Sequence, residues 1–319
     1  MKQIKKVSLI GMGAMGSFFA PRLYQAFGED FHIIADKKRA EKLNASGVTI
    51  NDKTYFFPIT DPADTSEKSD LIIIATKGYS FDQAMEDIAN QVKEDTLILG
   101  IINGIDAEEK LIARFGKEHV LYSLMRVSIV MKDLVTQYDP ETGSVHFGES
   151  EHNIPGSYSE RVKSVADVFD RAKIAYVIDE DMRRAIWYKY ACNVSENLTC
   201  ALLGISFGWF QKNEDANFIR KKAFLEVVAV AKAGFDIDFS DDDFIKQQQV
   251  FFNIPPQNKP STLQDIEAGR PTEIEMFAGT MLQLGQKFSI PTPYCELFYH
   301  SIRILEQKNA LAAEHTAWD

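Results

Sequence analysis

Val7-Ser8-Leu9-Ile10-Gly11-Met12-Gly13-Ala14-Met15-Gly16-Ser17-Phe18-Phe19-Ala20 is the stretch that decides the fold. An apolar run, Val7 to Ile10, ends in Gly11-x-Gly13-x-x-Gly16, and a helix-like pattern over Ser17 to Phe27 follows at once. Strand, tight turn and helix in that order are the setting of a dinucleotide-binding fingerprint. Gly11 allows a sharp exit from the strand. Gly13, without a Cβ, lets the backbone approach a pyrophosphate, and Gly16 lets the helix pack close to the sheet. The N–H groups and positive dipole end of that helix then face the phosphates. Gly11, Met12, Gly13, Ala14, Met15 and Gly16 are therefore the candidate pyrophosphate cradle. The motif alone is a weak signal, and a glycine-rich turn in some other α/β domain is the competing reading. Its surroundings favour the nucleotide: the strand begins near residue 4, and Asp36, 20 positions after Gly16, closes a second apolar run from Phe31 to Ala35.

Asp36-Lys37-Lys38-Arg39 bears on which nucleotide is bound. Asp36 at a strand end would accept hydrogen bonds from a ribose 2′-hydroxyl, which favours NADH. Lys37, Lys38 or Arg39 would instead hold a 2′-phosphate, which favours NADPH. The basic residues also fit the solvated first turn of a helix over 38–45, and the opposed signals leave the choice open.

The rest of the first half alternates strands and helices. Val48 to Pro58 reads as a small β excursion. Leu71 to Ala75 and Leu97 to Ile102 are continuous apolar runs, as expected of strands buried on both faces of a parallel sheet. Helices are expected at 80–92, 106–115 and 157–172. Val120 to Met131 and Gly143 to Phe147 read as later strands, antiparallel if Tyr138 to Gly143 is the turn, and Ala175 to Ile178 as the last strand. Lys77 and Asn103 follow two of these strands, on the side where open α/β sheets bind ligands. His146 alternates with apolar neighbours and reads as structural. The texture changes at Asp179-Glu180-Asp181. Beyond it helices are expected at 182–203, 213–234, 240–250, 261–268, 272–289 and 293–307, with a loosely held tail from about Ala310. The expectation is an α/β protein: a Rossmann-type, doubly wound sheet domain over 1–179, then an all-helical domain over 180–319, with the active site in the cleft between them.

Composition sets the outer limits. The 319 residues are 45% hydrophobic and carry a net charge of -11, which suits a soluble protein with no general attraction to nucleic acid. Three cysteines, Cys192, Cys200 and Cys295, have no metal-ligand spacing and read as reduced core thiols. No metal is suggested. No run approaches the ~18 apolar residues of a membrane span. A cytoplasmic protein is expected, without a membrane partner, and a homodimer stays open.

The chemistry-bearing constellation lies in the helical half. Lys189, Asn193 and Asn197 are spaced four and four. On an α-helix each step of four advances ~400°, so one ammonium and two carboxamides share a stripe. Asn is a poor residue inside a helix, and two on one face need a reason. A solvent-facing polar stripe is the competing reading, opposed by the Trp, Tyr, Cys, Leu and Val around it. Further on, Ser261 follows Pro260 and reads as an N-cap, and Thr272 or Glu273 opens the next helix.

These motifs in this order resemble the ketopantoate reductase (2-dehydropantoate 2-reductase) family. They are the glycine start, Thr76-Lys77, Asn103-Gly104, Lys189-x-x-x-Asn193-x-x-x-Asn197 and Ser261-Thr262-Leu263-Gln264-Asp265-Ile266-Glu267-Ala268-Gly269-Arg270-x-Thr272-Glu273-Ile274. The match runs from about residue 4 to 307, and the last string is the most telling. The resemblance implies hydride transfer from NADPH, or NADH in view of Asp36, to the keto carbon of 2-dehydropantoate, giving pantoate in the pantothenate and coenzyme A pathway. It implies that Lys189 is the general acid, that Asn193 and Asn197 hold substrate hydroxyl and carbonyl groups, and that Ser261 holds the carboxylate. Glu273 would orient the lysine, and Lys77 and Asn103 would line the cofactor cleft. Elementary chemistry agrees: hydride addition builds negative charge on oxygen, and a cationic N–H donor beside it lowers the barrier.

The sequence departs from the family at its specificity edges. A Pro-Asn-Gly-Glu-Leu-like turn usually follows the lysine helix, its asparagine touching substrate. Here Ser206-Phe207-Gly208-Trp209-Phe210 stands there, with Phe207 for the asparagine. Ala278-Gly279 replaces an Asn-Gly, Ile102 replaces a glutamine, and Asp36 stands where an arginine often grips the 2′-phosphate. A family member reducing a bulkier or more apolar 2-keto acid is therefore a second reading. A nucleotide-binding regulator without chemistry is opposed by the joint presence of Lys189, Asn193, Asn197, Ser261 and Glu273. The 3-hydroxyacid dehydrogenase family shares the glycine start and a Lys-x-x-x-Asn helix, but not the Ser261–Glu273 string.

Overall fold

The computed structural model describes residues 3–66, 68–127, 129–132 and 134–313. Two compact units emerge, Met1–Arg183 and Arg184–Asp319, with the boundary just past the acidic run.

The first unit is built on an eight-stranded sheet. In space its strands run Tyr176–Val177, Ser144–Gly148, Val120–Arg126, Leu97–Gly100, Leu71–Ile74, Val7–Ile10, Phe31–Ile34 and Ile59–Thr60. Pairing is parallel except between Val120–Arg126 and Ser144–Gly148. Val7–Ile10, Leu71–Ile74 and Leu97–Gly100 are buried at every residue, which is why they read as unbroken apolar runs. From Val7–Ile10 the chain first crosses to Phe31–Ile34 on one side and later to Leu71–Ile74 on the other. The strand order therefore reverses at the C-terminal end of Val7–Ile10, where ligands bind in doubly wound sheets.

Two expectations of the first unit need correction. The first helix runs Ala14–Phe27, one turn earlier than the apolar pattern suggested, because Gly13 is its N-cap. The expected strand over 120–131 is two strands. Val120–Arg126 stays in the main sheet, while Val130–Lys132 pairs with Val135–Gln137 in a second sheet of four, beside Val48–Ile50 and Lys53–Tyr55. Leu134 reverses the chain between them with φ +63. The second sheet is pinned to the first helix through the buried Thr136, whose hydroxyl lies 3.0 Å from Ser17 Oγ.

In the second unit, helix Glu214–Phe235 packs against helices Thr280–Phe288 and Pro293–Ala313. Side-chain caps hold helix ends. Glu226, buried in mid-helix, accepts from Tyr294 N and Cys295 N at 2.8 and 2.9 Å and so closes the start of Pro293–Ala313. Asn213 caps Glu214–Phe235 through Ala216 N at 2.8 Å. Helix Pro293–Ala313 passes the expected end at 307, and the remainder of the expected loose tail, 314–319, lies outside the described residues. The expected helix 182–203 is interrupted by a π-helical turn at Asn193–Asn197, and the expected helix 272–289 begins with another at Glu275–Gly279. Periodicity had hidden both. The cysteines are buried and free of disulfides, and burial pushes the Cys200 and Cys295 thiols up. No helix among the described residues is long and apolar enough to cross a membrane.

Two carboxylates of the first unit give opposite pH dependences. Burial pushes Glu108 up to about 7, while N–H donors from its own backbone and from Ser123 partly oppose it. Asp70 is held down to about 2, against the effect of its burial, by Lys93 and by Lys5 and Lys6 N–H groups at 2.8 and 2.9 Å. Asp70 therefore stabilises the fold above its unfolded range near 4, and this support is lost as pH falls toward 2. For Glu108 the folded state holds the proton more tightly, so stability falls as pH rises from the ordinary carboxylate range through about 7. Glu108→Gln should raise Tm by about 2–6 °C at pH 8 and by less at pH 5, measured by thermal unfolding.

Candidate functional site

The glycine turn is a place where three backbones converge. Gly11 has φ +99, and a Cβ there would sit 2.6 Å from the Ala75 carbonyl and 2.7 Å from Thr76 N. A Cβ on Gly16 would sit 2.1 Å from Gly11 O, with Leu9 3.7 Å away, so this glycine answers first to the turn itself rather than to the sheet. Gly13 differs: a Cβ there would meet nothing within 4 Å. The space over Gly13 is open, as close approach of a pyrophosphate requires. First-turn N–H groups, from Ala14, Met15 and Gly16, have no partner within the helix. Beside the turn, the Thr76 hydroxyl is buried with no hydrogen-bond partner. An orphaned donor at a strand's C-terminal end is a candidate ligand contact, to which sequence reading gave no role beside Lys77. These features fit a nicotinamide dinucleotide.

The other residues of this edge take different positions. Lys77 is exposed, and its carbonyl accepts from Ser80 N at 2.9 Å to start a short 3-10 turn. Asn103 is partly buried ahead of Gly104, which has φ +111. Asp36 is the N-cap of helix Lys37–Ser46, with Oδ1 accepting from Arg39 N at 2.7 Å. Lys37 and Lys38 are exposed on the first turn of that helix. Arg39 turns back, and its Nη2 donates to Met12 O at 3.0 Å. Of the three basic candidates, Arg39 is thus the one the fold brings to the glycine turn. His146, expected to be structural, has Nδ1 2.6 Å from Asp179 Oδ2.

In the second unit, helix Met182–Cys192 carries Lys189, half-buried, directly into the π turn Asn193–Asn197. A turn closed by i→i+5 bonds holds more than 3.6 residues, so four steps advance less than 400°. Asn193 and Asn197 are neighbours on this turn, and Asn197 Nδ2 donates to Asn193 Oδ1 at 3.3 Å. Asn197 is 8% exposed, which removes the solvent-facing reading of the stripe. Helix Ser261–Glu267 and the second π turn both pack against this first one. Glu273 is buried just ahead of the second π turn. Its neighbour Thr272 is tied by N–H and hydroxyl to Glu306 Oε1 at 2.6 and 2.7 Å. Tyr190, next to Lys189, donates to Phe277 O at 2.6 Å, satisfying a carbonyl of that turn. π turns inside helices mark functional sites more often than chance.

One reading changes. Ser261 is the first helical residue rather than the N-cap, a place taken by Pro260, and its exposed hydroxyl has no hydrogen-bond partner among the described residues. Phe207, half-buried, joins an aromatic cluster with Phe210 and Phe251, at centroid distances of 6.5 and 5.6 Å. Asp265 and Arg270 of the signature string are internal partners, Arg270 Nε donating to Asp265 Oδ1 at 2.9 Å.

Comparison with known proteins places the chain. Residues 7–152 match the family model "Ketopantoate reductase PanE/ApbA" and residues 181–306 match "Ketopantoate reductase PanE/ApbA C terminal". A 2-dehydropantoate 2-reductase of Streptococcus pyogenes is 27% identical over 94% of this chain and 97% of its own. The uncharacterized oxidoreductase YkpB of Bacillus subtilis is 24% identical over 94% and 99%. The ternary structure of D-mandelate dehydrogenase with NADH and anilino(oxo)acetate superposes with a TM-score of 0.84 at 23% identity, over 96% of this chain and 99% of that one. The chain belongs to the ketopantoate reductase family, a family of NAD(P)H-binding oxidoreductases.

The glycines separate fold from ligand binding. Gly13→Ala should unfold within about 2 °C of the parent while weakening NAD(P)H binding at least ~10-fold, because its methyl meets no protein atom within 4 Å and would fill the space open to a pyrophosphate. Gly16→Ala should lower Tm as well. Differential scanning fluorimetry and quenching of NAD(P)H fluorescence check both, and equal nucleotide affinity in Gly13→Ala would remove this turn as the cradle.

Proposed function

We propose that this family member reduces 2-dehydropantoate to pantoate, with NADPH as the hydride donor. The observation that carries the reading is the partnered Asn193–Asn197 pair on a π turn one step beyond Lys189, in a chain similar to 2-dehydropantoate 2-reductases over almost its full length. Bound NADPH supplies the hydride. Lys189 holds a proton at Nζ and gives it to the substrate oxygen as negative charge develops there. The Glu273 carboxylate orients that ammonium. Asn193 and Asn197 offer amide donors to the carbonyl and hydroxyl groups, and the unpartnered Ser261 hydroxyl takes the carboxylate. Gly11 to Gly16 present backbone N–H groups to the pyrophosphate, and Lys77, Asn103 and the Thr76 hydroxyl face the cofactor side of the first unit.

The choice of NADPH rests on Arg39. Its guanidinium already lies on the glycine turn, while Asp36 spends one carboxylate oxygen on the helix cap. A 2′-phosphate meets Arg39. The remaining oxygen of Asp36 keeps NADH as the alternative, consistent with NADH in the D-mandelate dehydrogenase relative.

A second reading keeps the reaction and changes the substrate to a more apolar 2-keto acid. It is favoured by Phe207, which puts an aromatic ring where the family carries an asparagine.

A steady-state assay with 2-dehydropantoate, NADPH and NADH tests the reading. Lys189→Ala should cut kcat about 10²–10⁴-fold with the NADPH Kd unchanged, and undiminished turnover would remove the general-acid role. Arg39→Ala should raise the KM for NADPH about 10-fold and leave that for NADH near the parent value. No turnover of 2-dehydropantoate, together with tight nucleotide binding, would pass the substrate to the second reading.

A further inference from the structure

Behind the asparagine pair lies a buried charge that the proposed reaction does not use. Arg220, on helix Glu214–Phe235, is fully buried. A guanidinium does not give up its proton at ordinary pH, so its burial demands compensation. Three phenyl rings supply part of it, with the Arg220 Cζ 4.2 Å from the centroid of Phe244, 4.9 Å from Phe251 and 5.3 Å from Phe210. Its Nε donates to Asn217 Oδ1 at 3.3 Å and its Nη2 to Gln248 Oε1. Its Nη1 donates to Glu196 Oε1 at 3.4 Å.

Glu196 makes this more than a core ion pair. It lies in the π turn, between Asn193 and Asn197, and is 5% exposed. Its second oxygen accepts from Gln247 Nε2 at 3.1 Å, on helix Asp241–Val250. The same helix also meets the lysine helix one turn earlier, where Tyr188 Oη donates to Asp243 O at 3.0 Å. The π turn is therefore gripped through one side chain by two helices, neither of which carries a proposed substrate contact. A π turn is rarer than continuous α-helix and persists where its surroundings over-determine it.

We infer that Arg220 and Gln247 are positioning residues: by gripping Glu196 they fix the register of the π turn and so aim Asn193 and Asn197 at the keto acid. The inference rests on the substrate role proposed for those two asparagines. Arg220 and Gln247 act through Glu196 and not on the substrate.

A purely structural ion pair predicts a different order of variants, which makes the test sharp. Arg220→Leu combined with Glu196→Leu removes both charges and leaves neither unpaired, a change that is often neutral for stability. Glu196→Gln keeps a carbonyl oxygen for Arg220 but strands the guanidinium, which lowers stability. If the grip sets the register, the double variant should raise the KM for 2-dehydropantoate by about 10-fold or more, with the KM for NADPH unchanged, while Glu196→Gln stays within about 3-fold of the parent despite a lower Tm. The reverse order, with parental kinetics in the double variant, would overturn the inference. A parent enzyme that turns over no 2-keto acid would mean failure of the proposed function instead. The grip is then read from amide hydrogen exchange over residues 193–199: faster exchange in the double variant supports it, and equal exchange refutes it.

Discussion

The first unit depends on a close approach of backbone to backbone. Gly11 touches the chain leaving Leu71–Ile74, and Gly16 touches Gly11. Two side chains fewer at those points let the first helix start directly over the strand end, where the sheet order reverses. Everything useful on that edge follows from it. The helix N-terminus is brought over the open space at Gly13, the Thr76 hydroxyl is brought beside it, and Arg39 can rest its guanidinium on Met12 O. A Cβ at either contact would push these groups apart, whatever their own chemistry.

The second unit solves a different problem. It must hold polar amides in an apolar helical core without leaving backbone groups unsatisfied. Side chains meet polar groups on both π turns. Tyr190 takes the carbonyl of Phe277, and the Asn193–Asn197 contact satisfies one amide with another. Glu226 and Glu306 do the same work for N–H groups at Tyr294, Cys295 and Thr272. Buried carboxylates here take both kinds of partner: Glu226 accepts from backbone N–H groups, whereas Glu196 and Asp265 face Arg220 and Arg270.

Much of this was legible in the chain. The glycine spacing and the β-branched runs led to a parallel sheet, and the strand order bears this out because each such run is buried on both faces. What escaped was anything decided by a single residue of register. A π turn differs from an α-helix by one residue in a turn, and the apolar spacing of Trp187, Ala191, Val194 and Leu198 is tolerant of that difference. Ser261 was misplaced by one position for a related reason: Pro260 fits an N-cap or a first turn by composition. Val120 to Met131 reads as one strand because both of its pieces are β-formers, and only their partners in space divide them. Arg39 could not be told from Lys37 and Lys38 because reach depends on where a helix begins, not on charge. Glu196 and Arg220 lie 24 positions apart and show no local pattern at all.

The π turn has a consequence for how the molecule can change in length. Removing one residue between Asn193 and Asn197 would restore an ordinary α-helix and favourable hydrogen-bond geometry there. Five residues of a π turn advance about as far as four of an α-helix, so helix Leu198–Leu203 would keep nearly its direction relative to Lys189 and the buried Leu198, Thr199, Cys200 and Ala201 would keep their neighbours. What would be lost is local: the two asparagines would stand three apart instead of four, and the place of one side chain between them would close. The extra residue of this turn is thus carried at no cost to the register of the helix beyond it, and its effect is confined to the side chains that the turn itself presents.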